Sequence, residues 1–298
     1  MLLLSLIGEQ PIPNLLPLWQ YRDFSHTQFA ATGTTWGVAQ QLESAIQVDP
    51  ALKRMQVLPI LRLEAYDLDQ ARRALNAALH QHLENGLRSA INLTGGTKLM
   101  SLAALQAAFG TGIPLIYVST ETRQMIWMGS DGSEQRREPI AVKITVAQYL
   151  RAHGLEVVFK PGDPARVGSL LEEKVYRKAY ASRLFDDVQR NIHIRRQSHQ
   201  GQVENELDIA VTRNGRLAVC SCKSGEALRK TRQANIFLYE LASLSRREAA
   251  GIYCGKVLAT DQERLPDAVR QRAASMDIHL VDGSQFEEIA DKLAATIR

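Results

Sequence analysis

A hairpin in the C-terminal half of the chain carries residues whose types and spacing suit metal-assisted chemistry. The stretch ENELDIAVTRNGRLAVCSCKSG, residues 204–225, has acidic residues on its first strand and a lysine after its second. Asn214 and Gly215 between them form the strongest short-range signal for a two-residue turn of type I′. Because a turn of this length fixes how the strands pair, counting outward from it places Ala210 opposite Val219.

The same register gathers four polar side chains on one face of the hairpin. Side chains alternate between the faces of a strand, so Asp208 stands opposite Ser221, and Glu206 stands opposite Lys223. The other face is apolar and consists of Leu207, Ile209, Val211, Ala218, Cys220 and Cys222. An ordinary surface pair of Glu206 with Lys223, a contact of about 0.2–1 kcal/mol, is the alternative explanation for this acid and lysine.

The polar face predicts a metal-dependent catalytic site. Carboxylate oxygens are the ligands that Mg²⁺ and Mn²⁺ prefer, and a bound cation lowers the pKa of water and neutralises charge on a phosphate. We therefore expect Asp208 to bind the cation, with the main-chain carbonyl of Cys222 as a further ligand. Lys223 is expected to orient the attacking water or to stabilise the transition state. Glu206 and Ser221 complete the predicted catalytic cluster, although Ser221 occupies a position where such sites usually carry an acid.

A helix before the hairpin adds another candidate ligand. The segment GSLLEEKVYRKAY places Leu171, Val175 and Ala179 on one apolar stripe, with Glu172 on its flank. We expect Glu172 to join the catalytic and metal-binding residues, and we favour it over Glu173, which points further from the core. Acids early in a helix also interact favourably with the helix dipole, and that interaction is by itself sufficient to explain them.

A glycine-rich turn in the first half of the chain predicts a phosphate-binding loop. In NLTGGTKLMSLAALQAAF, residues 92–109, a strand passes into a helix through a Thr-Gly-Gly-Thr-Lys turn. The glycines permit close approach to a ligand, and the helix directs its N–H groups and dipole at the same point. A tight turn without a ligand is the alternative. Together with the loops after the first two strands, the candidate ligand contacts are Gln10, Asn14, Thr32, Thr94, Gly95, Gly96, Thr97 and Lys98.

The pattern of apolar segments predicts an α/β protein. Apolar strands alternate with helical segments, which favours a parallel sheet covered on both faces, as in a Rossmann-like domain. The predicted strands are LLLSLI (2–7), TQFAAT (27–32), MQVLPI (55–60), SAINLT (89–94), PLIYVS (114–119) and QMIWM (124–128). In an open parallel sheet, ligands bind beyond the carboxyl ends of the strands, so the loops after the first and fourth strands are expected to meet there.

Composition limits the possible partners. The 298 residues are 45% hydrophobic and 23% charged, which indicates a globular protein of two domains. MLLLSLI is too short for a membrane span, and three cysteines without a metal-ligand pattern indicate a cytoplasmic protein.

The positive charge lies mainly in the second half of the chain. Lys and Arg number 11 against 12 acids in residues 1–140, and 25 against 20 acids in residues 141–298. The basic second half suits a nucleic-acid partner, although such an excess can also be solubilising surface.

Four motifs in a fixed order resemble the CARF-domain nucleases of type III CRISPR defence. They are GEQPIPNLLP, NLTGGTKLM, LEEKVY and NELDIAVTRNGRLAVCSCKSG, and the resemblance covers nearly the whole chain. It implies a CARF domain at residues 1–138, a linker or reduced winged-helix-like segment at 139–165, and a PD-(D/E)xK, restriction-endonuclease-like domain at 166–298.

The resemblance also implies an activity and its control. Members of this family are homodimers whose CARF domains bind a cyclic oligoadenylate, most often cyclic tetra-adenylate, which activates cleavage of DNA, RNA or both with Mn²⁺ or Mg²⁺. Two other functions remain open. One is a ligand sensor whose catalytically inactive nuclease domain binds nucleic acid, and Ser221 in place of the motif acid favours it. The other is an Mrr-like restriction enzyme with a ligand-free Rossmann domain, against which the Thr-Gly-Gly-Thr-Lys loop argues.

Overall fold

The computed structural model describes residues 1–160, 169–198, 201–228, 231–244, 250–251 and 253–297. The chain divides into two compact units, Met1–Val142 and Lys143–Arg298. No helix in these described ranges has the length and apolarity that a bilayer span requires. The two-domain α/β architecture predicted from the sequence is confirmed.

The first unit contains a seven-stranded sheet with strand order β3-β2-β1-β4-β5-β6-β7. All five residues of β1 are buried, because helices cover both faces of the sheet at its centre. Leu2, Leu4 and Leu6 pack against α3 and α4 in the main core of this unit. Its elements are β1 (Leu2–Leu6), α1 (Ile12–Gln20), β2 (His26–Ala31), α2 (Trp36–Val48), β3 (Gln56–Arg62), α3 (Leu68–Glu84), β4 (Ser89–Asn92), α4 (Lys98–Ala108), β5 (Leu115–Ser119), β6 (Gln124–Met128) and β7 (Glu134–Pro139).

Three expectations for the first unit are corrected. All six predicted strands form, but only β1 to β5 are parallel, whereas β6 and β7 are antiparallel to their neighbours. The charged, turn-rich segment 129–139, which predicts the end of the first domain, contains strand β7, since an exposed edge strand needs no apolar face. Residues 8–16 were also read as a loop, but α1 begins at Ile12, so Asn14 lies on a helix.

The second unit contains a six-stranded sheet with strand order β13-β12-β11-β10-β9-β8. Helix α6 packs on one face through Leu171, Val175 and Ala179, so its predicted apolar stripe is confirmed. Its elements are α5 (Val146–Ala152), β8 (Glu156–Phe159), α6 (Ser169–Ser182), β9 (Asp187–Ser198), β10 (Gly201–Arg213), β11 (Arg216–Cys222), α7 (Gly225–Leu228), α8 (Thr231–Leu244), β12 (Gly255–Ala259), α9 (Asp267–Ser275), β13 (His279–Val281), a 3₁₀ helix (Gly283–Glu288) and α10 (Ile289–Thr296).

One strand of the second unit was not anticipated, and the segment before it belongs to the sheet. Strand β9 pairs with β10 along most of its length and makes the predicted hairpin the centre of a wider sheet. Segment 139–165, expected as a linker or reduced winged helix, contributes α5 and the edge strand β8 to this unit. Residues 161–168 of the predicted domain junction lie outside the described residues.

Candidate active site and ligand-binding loops

The predicted hairpin register is confirmed from Arg213–Arg216 to Ile209–Cys220, and the predicted pairs Asp208–Ser221 and Glu206–Lys223 lie beyond the end of the observed ladder. Arg213 pairs with Arg216 and Ala210 pairs with Val219, as the two-residue turn requires. Asn214 has a φ of 51° and Gly215 has a φ of 77°, and positive φ at both central positions is the signature of a type I′ turn. The hairpin therefore presents the predicted polar face.

Strands β10 and β11 separate at the candidate site. Their ladder ends with the pair Ile209–Cys220, and the next main-chain N–H, that of Cys222, donates to Oδ2 of Asp208 at 2.8 Å. Strand β11 meanwhile continues beside β12, where the N–H of Lys223 donates to the carbonyl of Ala259 at 2.9 Å. The side chain of Asp208 thus substitutes for a main-chain acceptor where the two strands part.

A cavity of about 120 Å³ lies at this separation. Four of the five predicted catalytic residues line it, and so do two residues of α8 that the sequence did not indicate. The lining residues are Asn205, Glu206, Leu207, Asp208, Val219, Cys220, Ser221, Lys223, Glu240 and Leu241. The sequence pattern of the hairpin does not show that α8 lies beside the cavity, because this contact depends on tertiary packing.

Lys223 is held between an anion and an aromatic ring. Its Nζ lies 3.5 Å from Oδ2 of Asp208 and 5.2 Å from the ring centroid of Phe237 on α8. Ser221 Oγ donates to the same Oδ2 at 3.2 Å. The lysine side chain is 21% exposed and Asp208 is 7% exposed, so the ammonium group can reach a molecule at the cavity mouth while the carboxylate remains buried.

The two acids of α6 occupy different environments. Glu173 forms ion pairs with Arg177 and Arg190, so its charge is already balanced. Glu172 is buried and lies on the helix that covers the Cys222 thiol. The pKa of that thiol is raised by a hydrogen bond that it donates to Cys220 and by burial, with the charges of Cys220, Asp208 and Glu172 adding to the effect. Glu172 is not among the residues that line the cavity, so its metal role stays a prediction.

A polar network continues beyond the cavity on β9 and β10. Glu206 is the cross-strand neighbour of His193, and Glu204 is that of Arg195. Hydrogen bonds from Arg195 and Lys160, with a smaller contribution from His193, lower the pKa of Glu204 to about 2. The charge of Glu204 is therefore balanced by its neighbours.

The donor set of the cavity fits a hard divalent cation. The hydrogen bonds described for the Asp208 carboxylate all go to Oδ2, and Glu206 and Glu240 line the same space. No cluster of three or more His, Cys, Asp or Glu side chains arranged for a metal occurs in the described part of the chain. Mg²⁺ commonly binds through one or two carboxylates and completes its shell with water, so Asp208 with one glutamate is a sufficient set.

In the first unit, the loops that follow β1 and β4 meet as predicted. A Cβ atom added to Gly95 would lie 2.0 Å from the carbonyl oxygen of Leu6 and 2.6 Å from the nitrogen of Gly8. Gly96 has a φ of 74°, a conformation that side chains other than glycine rarely adopt. The Gly-Gly pair is thus required by the close approach of these two loops at the carboxyl end of the sheet.

Several predicted ligand hydroxyls already have structural partners. Thr94 Oγ1 donates to Oδ1 of Asn92 at 2.6 Å and accepts from the N–H of Val118 at 2.7 Å. Thr97 caps α4 by accepting from the N–H of Met100, and it donates to the carbonyl of Ala65. The Thr32 hydroxyl hydrogen-bonds to those of Thr34 and Thr35. Exposed Lys98 and the loop backbone therefore remain for a ligand.

Buried polar atoms without partners concentrate beside these loops. Ser5 Oγ, Gln10 Nε2 and Asn14 Oδ1 have no hydrogen-bond partner among the described residues. Asn14 is fully buried, and its Nδ2 donates to the carbonyl of Gln10, so its side chain positions this loop. Asn14 can contact a ligand directly only if it becomes exposed. An unsatisfied buried polar group costs about 1–3 kcal/mol, so the Gln10 amide is available to donate to a polar ligand.

Comparison with known proteins finds a family model for each unit. Residues 2–149 match the Card1 CARF domain, and residues 165–298 match the Card1-like endonuclease domain. No curated protein matches the chain. Can2 from Sulfobacillus thermosulfidooxidans, solved with cyclic tetra-adenylate, is similar in fold with a TM-score of 0.78 and 20% identity over 100% of this chain and 99% of that chain.

Two further structures share the fold. Protein VC1899 from Vibrio cholerae has a TM-score of 0.77 and 16% identity over 99% of this chain and 97% of its own. A type III CRISPR defence DNA nuclease activated by cyclic oligoadenylate has a TM-score of 0.62 and 18% identity over 89% of this chain and 46% of its own. The resemblance found in the sequence is confirmed, and the chain belongs to the CARF-domain nucleases in which a Card1 CARF domain precedes a Card1-like endonuclease domain.

Proposed function

We propose that this protein is a metal-dependent endonuclease that a cyclic oligoadenylate activates through the CARF domain. The observation that carries the proposal is the Asp208–Lys223 pair, 3.5 Å apart in the cavity of an endonuclease domain. The pair joins a buried carboxylate that can hold a hard cation to a lysine that reaches the cavity mouth. The protein acts in type III CRISPR antiviral defence, in the cytoplasm, on DNA, RNA or both.

Each residue at the site has a separate task in this proposal. Mn²⁺ or Mg²⁺, when bound, supplies a water of lowered pKa and neutralises phosphate charge. Asp208 provides the fixed anchoring carboxylate, with the Cys222 carbonyl and Glu172 as the further predicted ligands. Lys223 donates to a phosphate oxygen or orients the water. Glu206 and Ser221 shape the cavity around them, and Ser221 holds Asp208 in place through its hydroxyl.

Cyclic tetra-adenylate is the proposed activator because Can2, similar over its whole length, was solved with that ligand. The proposed contacts are the backbone of Gly95 and Gly96, the ammonium group of Lys98, and the amide of Gln10 on the adjoining loop. Two copies of the chain would present these groups twice around a symmetric ring, which suits a homodimer. The ligand activates only by its differential affinity for the active arrangement.

A sensor with an inactive nuclease domain is the second candidate. The observation that favours it is Ser221, whose hydroxyl donates to Asp208 where an acid is expected. Such a protein binds nucleic acid when the activator is present and does not cleave it.

One experiment separates the two candidates. Purified protein is incubated with supercoiled plasmid or single-stranded RNA and Mn²⁺, with and without cyclic tetra-adenylate, beside Lys223→Ala. Activator-dependent cleavage that Lys223→Ala lacks supports the nuclease. Activator-dependent gel retardation without cleavage, equal in wild type and Lys223→Ala, refutes the nuclease and supports the sensor.

A further inference from the structure

Position 221 leaves the cavity short of one anionic oxygen. Ser221 faces Asp208 across the opened ladder, and its hydroxyl is a donor to Asp208 Oδ2 at 3.2 Å. A hydroxyl that already donates to the anchoring carboxylate adds no negative charge to a divalent site. If the cation in the endonuclease domain takes a second carboxylate, that carboxylate has to come from a position other than 221.

Helix α8 supplies a carboxylate from the opposite wall. Glu240 lines the same cavity as Ser221, Asp208 and Lys223. It follows Phe237 by three residues, so both side chains lie on one side of the helix, and the Phe237 ring already contacts the ammonium group of Lys223. The helix is fixed by the buried side chains Ala234, Leu238 and Leu241, beside which Phe237 is half-buried and Glu240 is exposed.

Glu240 is also the least committed acid at the cavity. No hydrogen bond or ion pair of its carboxylate occurs among the residues that the structure describes. Glu206, by contrast, already interacts with other groups, and Glu172 does so as well while lying outside the cavity lining. A long, uncommitted side chain can turn toward a cation without breaking an existing contact.

We infer that Glu240 provides the second carboxylate for the divalent cation, in place of the acid that Ser221 lacks. The inference rests on the proposed function, because it assigns a ligand to the cation which that function requires. The carboxylate of Glu240 thus approaches the cation from α8, at the point that an acid at position 221 would reach from β11.

The test measures cation binding and cleavage separately. Isothermal titration of the full-length protein with Mn²⁺, without nucleic acid, should show that Glu240→Gln weakens binding roughly tenfold to a hundredfold. The variant Ser221→Glu/Glu240→Gln should recover both Mn²⁺ binding and plasmid or RNA cleavage. The matched control is Glu287→Gln, which removes an exposed carboxylate paired with Lys178 and should bind Mn²⁺ like wild type.

The outcomes separate this inference from the proposed function. Wild-type binding by Glu240→Gln overturns the role of Glu240 while leaving the nuclease proposal intact. Weak binding that Ser221→Glu does not rescue overturns the replacement of the motif acid. Absence of Mn²⁺ binding and cleavage in the wild type and in Ser221→Glu overturns the metal-dependent function and this inference together.

Discussion

The main-chain N–H of Cys222 donates a 2.8 Å hydrogen bond to Oδ2 of Asp208, so a side chain terminates the ladder between β10 and β11. The same carboxylate is the proposed anchor for a cation. One residue therefore has a structural task and a chemical task, which different substitutions can separate.

Asp208→Asn and Asp208→Ala should differ in stability but not in activity. The asparagine keeps an oxygen acceptor for Cys222, whereas the alanine leaves this buried N–H unsatisfied and should lower the free energy of unfolding by about 1–3 kcal/mol. Both should abolish cleavage because the charge is lost. Urea unfolding monitored by thiol labelling of the three buried cysteines, all in the second unit, measures the stability. Cleavage by Asp208→Asn at the wild-type rate would contradict the catalytic role.

Phe237→Leu should reduce kcat and leave KM nearly unchanged. The ring lies 5.2 Å from Nζ of Lys223, and loss of a cation–π contact of about 0.5–2 kcal/mol corresponds to a rate roughly two- to thirtyfold lower. Steady-state cleavage kinetics test this. Phe237→Trp should restore the rate, and Ile236→Ala, which truncates an exposed side chain on the same helix, should have no effect. A change confined to KM would place the ring in substrate binding instead.

Gly95→Ala should destabilise the first unit and weaken binding of cyclic tetra-adenylate. Its Cβ would lie 2.0 Å from the Leu6 carbonyl oxygen, and such overpacking costs about 1–3 kcal/mol. All three tryptophans, Trp19, Trp36 and Trp127, lie in this unit, so their fluorescence during thermal unfolding reports its stability. Gly37→Ala, where the new Cβ meets nothing within 4 Å on helix α2, is the matched control. Equal stability of the two variants would refute the close approach.

The second unit should lose stability between neutral pH and pH 5 because of His153. Its ring is buried and donates through Nδ1 to the carbonyl of Tyr149, and burial lowers its pKa to about 4. Between that value and the ordinary pKa of about 6.5 the unfolded chain binds the additional proton, so stability falls as pH falls, by about 2 kcal/mol between pH 7 and pH 5. Urea unfolding followed by reaction of the buried cysteines with dithiodipyridine measures the change.

Two histidine variants complete this pH experiment. His153→Phe should reduce the dependence, since the ring no longer titrates, and His279→Phe, which replaces an exposed histidine, should retain it. A slope unchanged in His153→Phe would assign the pH dependence to other groups.

The local features of the site were predictable because adjacent residues determine them. Asn214-Gly215 fixed the turn and thereby the pairing of Ala210 with Val219 four residues away. The glycine pair of the first unit was visible for the same reason. Helix α1 was missed because its prolines resemble loop signals, although a proline in the first turn and Pro17 are both accommodated in the helix.

Features that depend on long-range packing were not predictable. Strand β9 alternates charged and apolar residues without a turn signal, and its strand character depends on β10. The presence of Phe237 and Glu240 at the cavity depends on how α8 packs against the sheet, and no spacing within the helix reports that. The sequence also indicates Arg229, Lys230 and Arg232 as candidates for contact with a nucleic-acid backbone, with a solvated helix face as the alternative. Arg229 and Lys230 lie outside the described residues, and Arg232 is exposed on α8.

The Cys222–Asp208 hydrogen bond explains which motif position can change during divergence. Asp208 completes the sheet, so a replacement there that removes the oxygen acceptor affects folding as well as chemistry. The side chain at position 221 only donates a hydrogen bond to Asp208, and the uncharged hydroxyl of serine is sufficient for this contact. The acid at 221 can therefore be exchanged at little structural cost, provided that another wall of the cavity restores the charge, whereas a side chain without an acceptor at position 208 would leave the Cys222 N–H unsatisfied.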